Sequence, residues 1–253
     1  MKVIALYNMK GGVGKTTAAV NLAFVSANSG YSTLLCDLDP QGSASYYFRL
    51  DDGSITAEKL VKGGKKIGKK IKSSGYDNID VLPSDFSYKD LPLLLDDKKH
   101  PKRRLKDTLS RFESDYKIIF LDCPPNIGLE SENIFKSADY ILVPVIPSPL
   151  SFLSTDKLLD YLNDKKFRND RVIPFCSMVD SRKKIHKDFQ LQASEKYPNC
   201  FTAAIPYASD IEQSALTRKP ICAASSSTRG AQSFRALWKE LEERINLKSR
   251  DIP

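Results

Sequence analysis

The sequence is poor in the residues that build metal and disulfide sites. Its 253 residues include two histidines, His100 and His186, both in lysine-rich stretches where we expect them to be solvated. Five cysteines are scattered without a C-x-x-C pair: Cys36, Cys123, Cys176, Cys200 and Cys222. Four of them lie in or beside strand-like runs, which favours small buried apolar residues over metal ligands. An odd, unpaired set of cysteines is typical of a reducing cytosol.

Long hydrophobic runs are also missing. The longest, such as Ile141 to Ile146, are far too short to span a bilayer. A strand-like run already begins at Val3, so we expect no cleavable signal peptide. These two features predict a cytoplasmic protein.

Acidic residues are fewer than basic residues in this sequence. The chain carries 39 Lys and Arg against 31 Asp and Glu, a formal net charge of +8. Such an excess favours an acidic partner, nucleic acid above all, although it can also serve solubility alone.

Short apolar runs alternate with helix-period stretches along the chain. The predicted strands are Val3–Tyr7, Thr33–Asp37, Ile79–Leu82, Lys117–Asp122, Tyr140–Ile146, Val172–Val179 and Cys200–Ile205. The predicted helices are Lys15–Ser29, Leu129–Ser137, Leu150–Asn163, Ile185–Tyr197 and Thr228–Ile245. Several of the predicted strands are apolar at consecutive positions, which is typical of strands that are buried on both faces of a sheet.

This alternation predicts an α/β fold, a doubly wound, mostly parallel twisted sheet with helices on both faces. No linker or second composition zone is visible, so residues 1–253 are predicted to form a single domain. Lys62–Ser74 and Asp96–Arg104, rich in charged and turn residues, are predicted to be exposed connections or short helix edges.

A glycine-rich segment follows the first predicted strand and opens the first predicted helix. Its glycines permit unusual backbone angles and present successive N–H groups to an anion, and the helix N-terminus adds partial positive charge. Lys15 is expected to reach the β- and γ-phosphates, Thr16 to ligate Mg²⁺ and Thr17 to lie near the α-phosphate. The candidate nucleotide-binding residues are Lys10, Gly11, Gly12, Val13, Gly14, Lys15, Thr16 and Thr17.

The segment departs from the usual Walker A pattern, because Met9 occupies the first glycine position. The string K-G-G-x-G-K-[ST]-[ST] resembles the deviant Walker A of the ParA/MinD family of ATPases. The resemblance implies that Lys10 crosses a dimer interface to the partner's nucleotide, comparable in effect to an arginine finger.

Two further segments place carboxylates at strand ends. Asp37 and Asp39 leave the second strand on one face at its C-terminal edge, where open α/β sheets bind ligands. Asp122 ends a buried strand, as the Mg²⁺-holding aspartate of a Walker B does.

These segments resemble the family's D-x-D-P-Q-G switch and its D-x-P-P segment. The resemblance implies that Asp39 positions or activates the attacking water and that Asp37 supports the metal and the loop. The implied catalytic residues are Lys10, Lys15 and Asp39; the implied metal residues are Thr16, Asp37 and Asp122; the implied cofactors are ATP and Mg²⁺.

The resemblance continues through Ser177–Arg182 and Ile205–Tyr207, regions with which family members tend to line an adenine pocket. Pro206 and Tyr207 are therefore expected to pack on the base, with a plain core position as the alternative for Tyr207. Ser177 stands where many relatives carry asparagine, so the resemblance does not decide whether a base-specific hydrogen bond forms there.

Within the family, one branch binds DNA and positions cargo, another binds membranes, and others donate electrons or carry metal centres. Membrane-binding members usually end in a basic amphipathic helix. Here the last helix carries three glutamates and an apolar stripe suited to the core, so no stable membrane association is expected. No N-terminal extension that holds a helix-turn-helix is visible.

Non-specific DNA is the partner expected from these features. The candidate phosphate contacts are Arg182, Lys183, Lys184, Lys187, Arg218, Lys219 and Arg229. The expected function is an ATPase that dimerises around ATP, binds DNA, and is stimulated by an adaptor protein to position a plasmid, chromosome or protein complex. It would associate with the nucleoid in the ATP state. The alternatives are a MinD-like membrane-associated spatial regulator and a P-loop metabolic ligase.

Overall fold

The computed structural model describes residues 1–50, 55–63, 67–96 and 101–246. The strands within these ranges are β1 (Lys2–Leu6), β2 (Thr33–Asp37), β3 (Lys72–Ser73), β4 (Ile79–Leu82), β5 (Ile118–Asp122), β6 (Tyr140–Val145) and β7 (Val172–Cys176). The α-helices are α1 (Lys15–Asn28), α2 (Ser43–Tyr47), α3 (Ala57–Lys62), α4 (Leu91–Asp96), α5 (Arg104–Leu109), α6 (Leu129–Ser137), α7 (Pro149–Asp164), α8 (Lys184–Lys196), α9 (Ser209–Thr217), α10 (Ile221–Ala224) and α11 (Arg229–Arg244). Short 3₁₀ turns connect several of these elements.

The seven strands form one sheet in the order β3-β4-β2-β5-β1-β6-β7. All neighbouring strands are parallel except β3, which pairs antiparallel with β4. The predicted parallel α/β sheet is confirmed. The edge strand β3 lies inside Lys62–Ser74, for which the sequence predicts an exposed connection or a short helix edge and no strand. Two residues are too few to show a strand period in sequence.

Helices cover both faces of the sheet, as predicted. In β1, Val3 and Ala5 point toward the core shared with α3 to α8, whereas Ile4 and Leu6 point toward the core shared with α1, α10 and α11. Because side chains alternate along a strand, consecutive apolar residues supply both cores at once.

The last helix packs its apolar stripe into the second core. Phe234, Leu237, Trp238, Leu241 and Ile245 are all buried, so the predicted core role is confirmed. Their main neighbour is α1, which is buried around most of its circumference rather than along one stripe.

The predicted strand at Cys200–Ile205 is wrong. The segment runs beside β7 and donates from the Phe201 N–H to the Pro174 carbonyl and from the Ile205 N–H to the Cys176 carbonyl, both at 2.9 Å. Between these bonds, the N–H groups at positions 202 and 203 turn instead to the carboxylate of Glu240 on α11. The segment therefore has two residues more than β7 between the two bonds, and a regular ladder is interrupted.

Candidate nucleotide-binding site

The glycine-rich loop leaves the carboxyl end of β1 and is anchored by Asn8. This buried side chain donates through Nδ2 to the Pro144 carbonyl of β6 at 2.8 Å and accepts the Lys10 N–H at Oδ1 at 2.9 Å. One amide thus fixes the start of the loop to the neighbouring strand. Asn8 is not among the site residues predicted from sequence, although an asparagine directly after a strand is a signal for such an anchor.

Two of the loop glycines need their lack of a side chain. Gly12 and Gly14 have φ angles of 71° and 93°, in the left-handed region that other residues resist. A Cβ at Gly14 would also come within 3.0 Å of the Ser177 hydroxyl oxygen. A Cβ at Gly11 would meet nothing within 4 Å, so space remains open above that residue.

Lys15 is the first residue of α1 and is only 7% exposed. Its ammonium donates to the Lys10 carbonyl at 3.0 Å, which folds the side chain back over the loop. Burial lowers the pKa of Lys15, whereas Asp122, Cys123 and Asp39 raise it. The cradle thus holds a desolvated cation next to the unpaired N–H groups of the helix N-terminus, as an anion site requires.

Asp37 and Asp122 end neighbouring parallel strands in matching register, and both are fully buried. The Oδ2 atom of Asp37 accepts both the backbone N–H and the hydroxyl of Ser45, each at 2.7 Å. Burial raises the pKa of Asp37 to about 6, and its bonds to Ser45 act in the opposite direction. Asp37 therefore ties the start of α2 to the carboxyl end of β2.

Asp122 has a different environment. Within the described part of the chain, neither of its buried carboxylate oxygens has a hydrogen-bond partner. Burial, then repulsion from Asp37, raises the pKa of Asp122 well above its usual range, whereas Thr16 and Lys15 lower it. An orphaned buried carboxylate of this kind is what a bound cation would neutralise.

Asp39 lies half-exposed at the same edge of the sheet. Its Oδ1 accepts the Gln41 N–H at 3.0 Å, and its carbonyl accepts the Gly42 N–H at 2.9 Å and the Ser84 hydroxyl. Ser84 follows β4, so the predicted switch loop is fastened to the next strand along the sheet. The loop has a defined shape that an arriving ligand would contact.

Tyr7 holds the segment that follows β5. Its hydroxyl donates to the Asn126 carbonyl at 2.7 Å, and its ring packs edge-on against Phe135 with centroids 4.7 Å apart. This contact positions the residues after Asp122 beside the cradle. The sequence predicts a strand that ends at Tyr7 and gives no sign of this role.

An apolar cleft opens beside the cradle, about 430 Å³ with its mouth included. Gly14, Thr17, Ser177, Pro206 and Tyr207 are among its lining residues, which places the predicted base-packing residues together. Tyr207 is 56% exposed, so the alternative of a plain core position is wrong for it. The cleft has the size and lining of a site for a planar heterocycle.

Comparison with known proteins agrees with this geometry. Residues 1–172 match the family model described as an AAA domain. Over 96% of its length the chain is 27% identical to the chromosome-partitioning ATPase Soj of Treponema pallidum, covering 98% of that protein. It is 29% identical to the sporulation initiation inhibitor protein Soj of Bacillus subtilis over 95% of this chain and 98% of the relative.

The chain belongs to the AAA domain family, as a ParA/MinD-type ATPase. Its fold is similar to that of a Borrelia burgdorferi protein assigned to plasmid partition and bound to AMPPNP, with a TM-score of 0.83 and 20% identity. That likeness covers 96% of this chain and 99% of the other.

The residues of this ParA/MinD-type site fit ATP and Mg²⁺. The orphaned Asp122 carboxylate and the Thr16 hydroxyl are the hard oxygen ligands that Mg²⁺ prefers. Lys15 and the glycine loop suit the phosphates, and the adjoining cleft suits the base. Asp37 is already engaged with α2, which fits support of the loop better than direct ligation.

The seven basic residues predicted to contact DNA fall into two groups. Arg182, Lys183, Lys184 and Lys187 are exposed at the start of α8, and the Arg229 guanidinium donates to the Ser181 hydroxyl at 3.3 Å. Arg182 is engaged in a two-point ion pair with Asp180.

Arg218 and Lys219 lie instead at the far end of α9, about 13 Å along that helix from its start. The predicted residues are thus not one patch. His186, predicted to be solvated, is half-exposed. Its Nδ1 also accepts a hydrogen bond from the Asp180 N–H at 3.0 Å. His100 lies outside the described residues.

Proposed function

We propose that this ATPase forms a dimer around ATP, binds DNA non-specifically in that state, and hydrolyses ATP to position a cargo. The name of its Treponema pallidum relative, a chromosome-partitioning ATPase, supports partitioning as the purpose. The cargo and the adaptor protein that stimulates hydrolysis belong to the same proposal, as does association with the nucleoid in the ATP state.

The observation that carries this proposal is the contrast between two lysines. Lys15 is buried and already serves its own cradle. The ammonium of Lys10 makes no hydrogen bond or ion pair with any described residue, although its backbone is fixed at both N–H and carbonyl. A rigidly mounted but unengaged cation beside open space at Gly11 suits a charge delivered to a second subunit's phosphates.

The chain's own residues would divide the work of hydrolysis. Lys15 and the α1 N-terminus hold the phosphates, and Asp122 and Thr16 hold the metal, which when bound would withdraw charge from the terminal phosphate. Asp39 would orient the water whose oxygen attacks that phosphorus, giving ADP and inorganic phosphate. The fixed Asp37–Ser45 contact would keep the loop that carries Asp39 in place.

Exposed apolar side chains flank the cradle and support a dimer face. Ile127 follows β5, and Leu150 and Leu153 lie in the first turns of α7 after β6, the two strands on either side of β1. These three side chains are 45%, 68% and 51% exposed. These exposed apolar side chains beside the charged cradle would become buried if two cradles faced each other.

The decisive experiment compares Lys10→Ala with Lys10→Arg by sedimentation velocity, using Mg²⁺ and a slowly hydrolysed ATP analogue. Wild type is expected to be dimeric with the analogue and monomeric with ADP. Lys10→Ala should stay monomeric and lose most adaptor-stimulated turnover, whereas Lys10→Arg should dimerise partly because it keeps the charge. A Lys10→Ala chain that dimerises and hydrolyses ATP normally would refute the cross-interface role.

DNA gel shifts and liposome flotation, each with and without ATP, separate the DNA-based function from a MinD-like membrane function. The described part of the chain has no helix long and apolar enough to cross a membrane. Its last described helix, α11, uses its apolar face in the core. Turnover that requires a small acid and no protein activator would favour a metabolic ligase instead.

A further inference from the structure

A basic cleft of about 950 Å³, with its open mouth included, lies at the amino ends of the parallel strands, opposite to the phosphate cradle. It is bounded by the starts of β1 and β7, by α5, by the end of α6 and by the segment that follows α7. Five basic and two acidic residues line it: Lys106, Lys136, Lys166, Arg168, Arg171, Glu113 and Asp139. The lining therefore carries an excess of three positive charges.

Most of the basic residues in this cleft have no acidic partner in the folded chain. Arg168 forms an ion pair with Asp170. The other four basic residues form no ion pair within the part of the chain that the structure describes. Their three lysines are exposed and Arg171 is half-exposed, so all four charges can reach a ligand. The field in the cleft therefore favours a ligand with negative charge.

The rest of the lining favours a protein segment over a nucleic-acid backbone. Met1 and Phe167 are half-buried against the core shared with α3 to α8, so the floor of the cleft offers apolar surface. Asp139 accepts the Val3 N–H at 2.9 Å, and Glu113 is exposed. These two carboxylates would repel an unbroken row of phosphates, whereas they can accept hydrogen bonds from peptide N–H groups. A segment that combines carboxylates with apolar side chains matches every part of this lining.

The cleft and the phosphate cradle lie at opposite ends of the same elements. The five residues of β1, about 17 Å of strand, separate the start of the cleft from the loop that forms the cradle. Helix α6 follows Asp122 and ends beside Lys136, and α7 begins near the exposed Leu150 and is followed by Lys166. The proposed dimer face is thus on the cradle side, and the cleft stays open in monomer and dimer alike.

We infer that this cleft is a docking site for an acidic protein segment that also carries apolar side chains, with Lys136 and Lys166 as contact residues. The site shares no described lining residue with the base cleft, so the bound segment does not compete with nucleotide. Its affinity for the segment is the same with ATP and with ADP, because neither nucleotide touches it. The partner that carries the segment stays attached throughout the hydrolysis cycle.

The first test measures binding of the full chain, with ADP, to a fluorescein-labelled peptide of repeated Asp-Asp-Leu units by fluorescence anisotropy. Lys136→Glu and Lys166→Glu are each expected to weaken binding about three- to tenfold, because each places a like charge opposite the peptide's carboxylates. The matched control, Lys239→Glu, makes the same change at an exposed lysine of α11 and should alter binding less than about twofold. Basal ATP turnover should be unchanged in all three variants, which shows that they fold.

The second test varies the peptide and the nucleotide. A peptide with Lys in place of Asp should not bind wild type, and one with Ser in place of Leu should bind more weakly because it lacks apolar groups for the floor. The affinity of the Asp-Asp-Leu peptide with the slowly hydrolysed ATP analogue should lie within about twofold of that with ADP. A tenfold difference would overturn the independence of the cleft from the nucleotide site.

The outcomes separate this inference from the proposed function. If wild type does not bind the acidic peptide, or if Lys136→Glu and Lys166→Glu bind it as wild type does, the cleft is not its docking site. If a random-sequence DNA duplex displaces the peptide and both variants lose DNA binding, the cleft is a nucleic-acid surface and the inference is overturned. Failure of the Lys10 experiment would refute the cross-interface role and leave the peptide results as they are, since these are measured with ADP.

Discussion

At the scale of single residues, the site is defined by two buried carboxylates, Asp37 and Asp122, at the ends of neighbouring strands. Within the described residues, both buried oxygens of Asp122 lack a hydrogen-bond partner, and its neighbour Asp37 is ionisable and equally buried. Two carboxylates side by side at adjacent strand ends repel each other whenever both are charged. The chain keeps this destabilising repulsion because the site needs the negative charge of both carboxylates when a cation is present.

Asp122→Asn is therefore expected to stabilise the nucleotide-free chain, by about 1 kcal/mol or more, because it removes a buried carboxylate from the neighbourhood of Asp37. The same change should abolish the rise in melting temperature that Mg²⁺ adds to that given by the ATP analogue. Thermal unfolding with and without Mg²⁺ measures both effects. A variant that is less stable without ligand yet still responds to Mg²⁺ would contradict this account.

Glu130, at the start of α6, gives a pH prediction. Its Oε1 is buried without a hydrogen-bond partner in the described chain, and burial, with a smaller contribution from Asp39, raises its pKa to about 7. Between pH 4.5 and 7 the folded chain thus holds a proton that the unfolded chain has lost, so stability falls as pH rises through this window.

Glu130→Gln should remove that fall, which amounts to at most about 1.4 kcal/mol per pH unit for one proton. Urea unfolding of wild type and variant at several pH values between 4.5 and 7 measures the difference in slope. Other carboxylates contribute equally to both chains, so the comparison isolates Glu130. Parallel pH profiles would show that its proton is not held in the folded state.

At the scale of elements, long-range contacts decide where regular structure stops. The segment at Cys200–Ile205 has the composition of a strand, but the Glu240 carboxylate on α11 draws away two of its N–H groups. The short helices α2 to α5 escaped prediction for a related reason. Each has six residues or fewer, too short for a helical period, and each is stabilised by packing rather than propensity.

Glu240→Ala is expected to speed amide hydrogen exchange at Thr202 and Ala203 at least tenfold, because these N–H groups lose their acceptor. Exchange in β7 itself should change little, since its bonds to β6 persist. The neighbouring exposed Glu243→Ala serves as the control and should leave all these rates unchanged. If exchange at positions 202 and 203 is insensitive to Glu240, that carboxylate does not hold the segment.

At the scale of the whole molecule, the exposed leucines at the start of α7 make the proposed dimer testable without touching the cradle. Leu150→Asp should prevent dimerisation with the ATP analogue, since it places a carboxylate on the face that is to be buried. Affinity of the monomer for ADP should be unchanged. Leu191→Asp, at an equally exposed leucine on α8, should dimerise as wild type does in sedimentation velocity.

A dimer that forms normally with Leu150→Asp would show that this leucine is not needed in the interface. Combined with the Lys10 variants, this distinguishes two cases. If Lys10→Ala and Leu150→Asp both remain monomeric, the cradle face is the interface. If only Lys10→Ala does, charge rather than apolar contact controls association.

The amino-acid sequence by itself determined the parallel sheet, the position of the phosphate cradle and the family. These depend on local features: apolar runs long enough to have a period, glycines that adopt left-handed angles, and aspartates at strand ends. The burial of the apolar stripe on α11 also followed from its spacing.

Only the tertiary structure decided how these parts are held and connected. Asn8 reaches 136 positions along the chain to Pro144, and Arg218 reaches 172 positions to Tyr46. The tertiary structure also places the predicted basic residues on two separate surfaces. It connects Asp37 to α2 through hydrogen bonds with Ser45. Such contacts join residues distant in sequence, and no local pattern encodes them, because they depend on how the strands are ordered in the sheet.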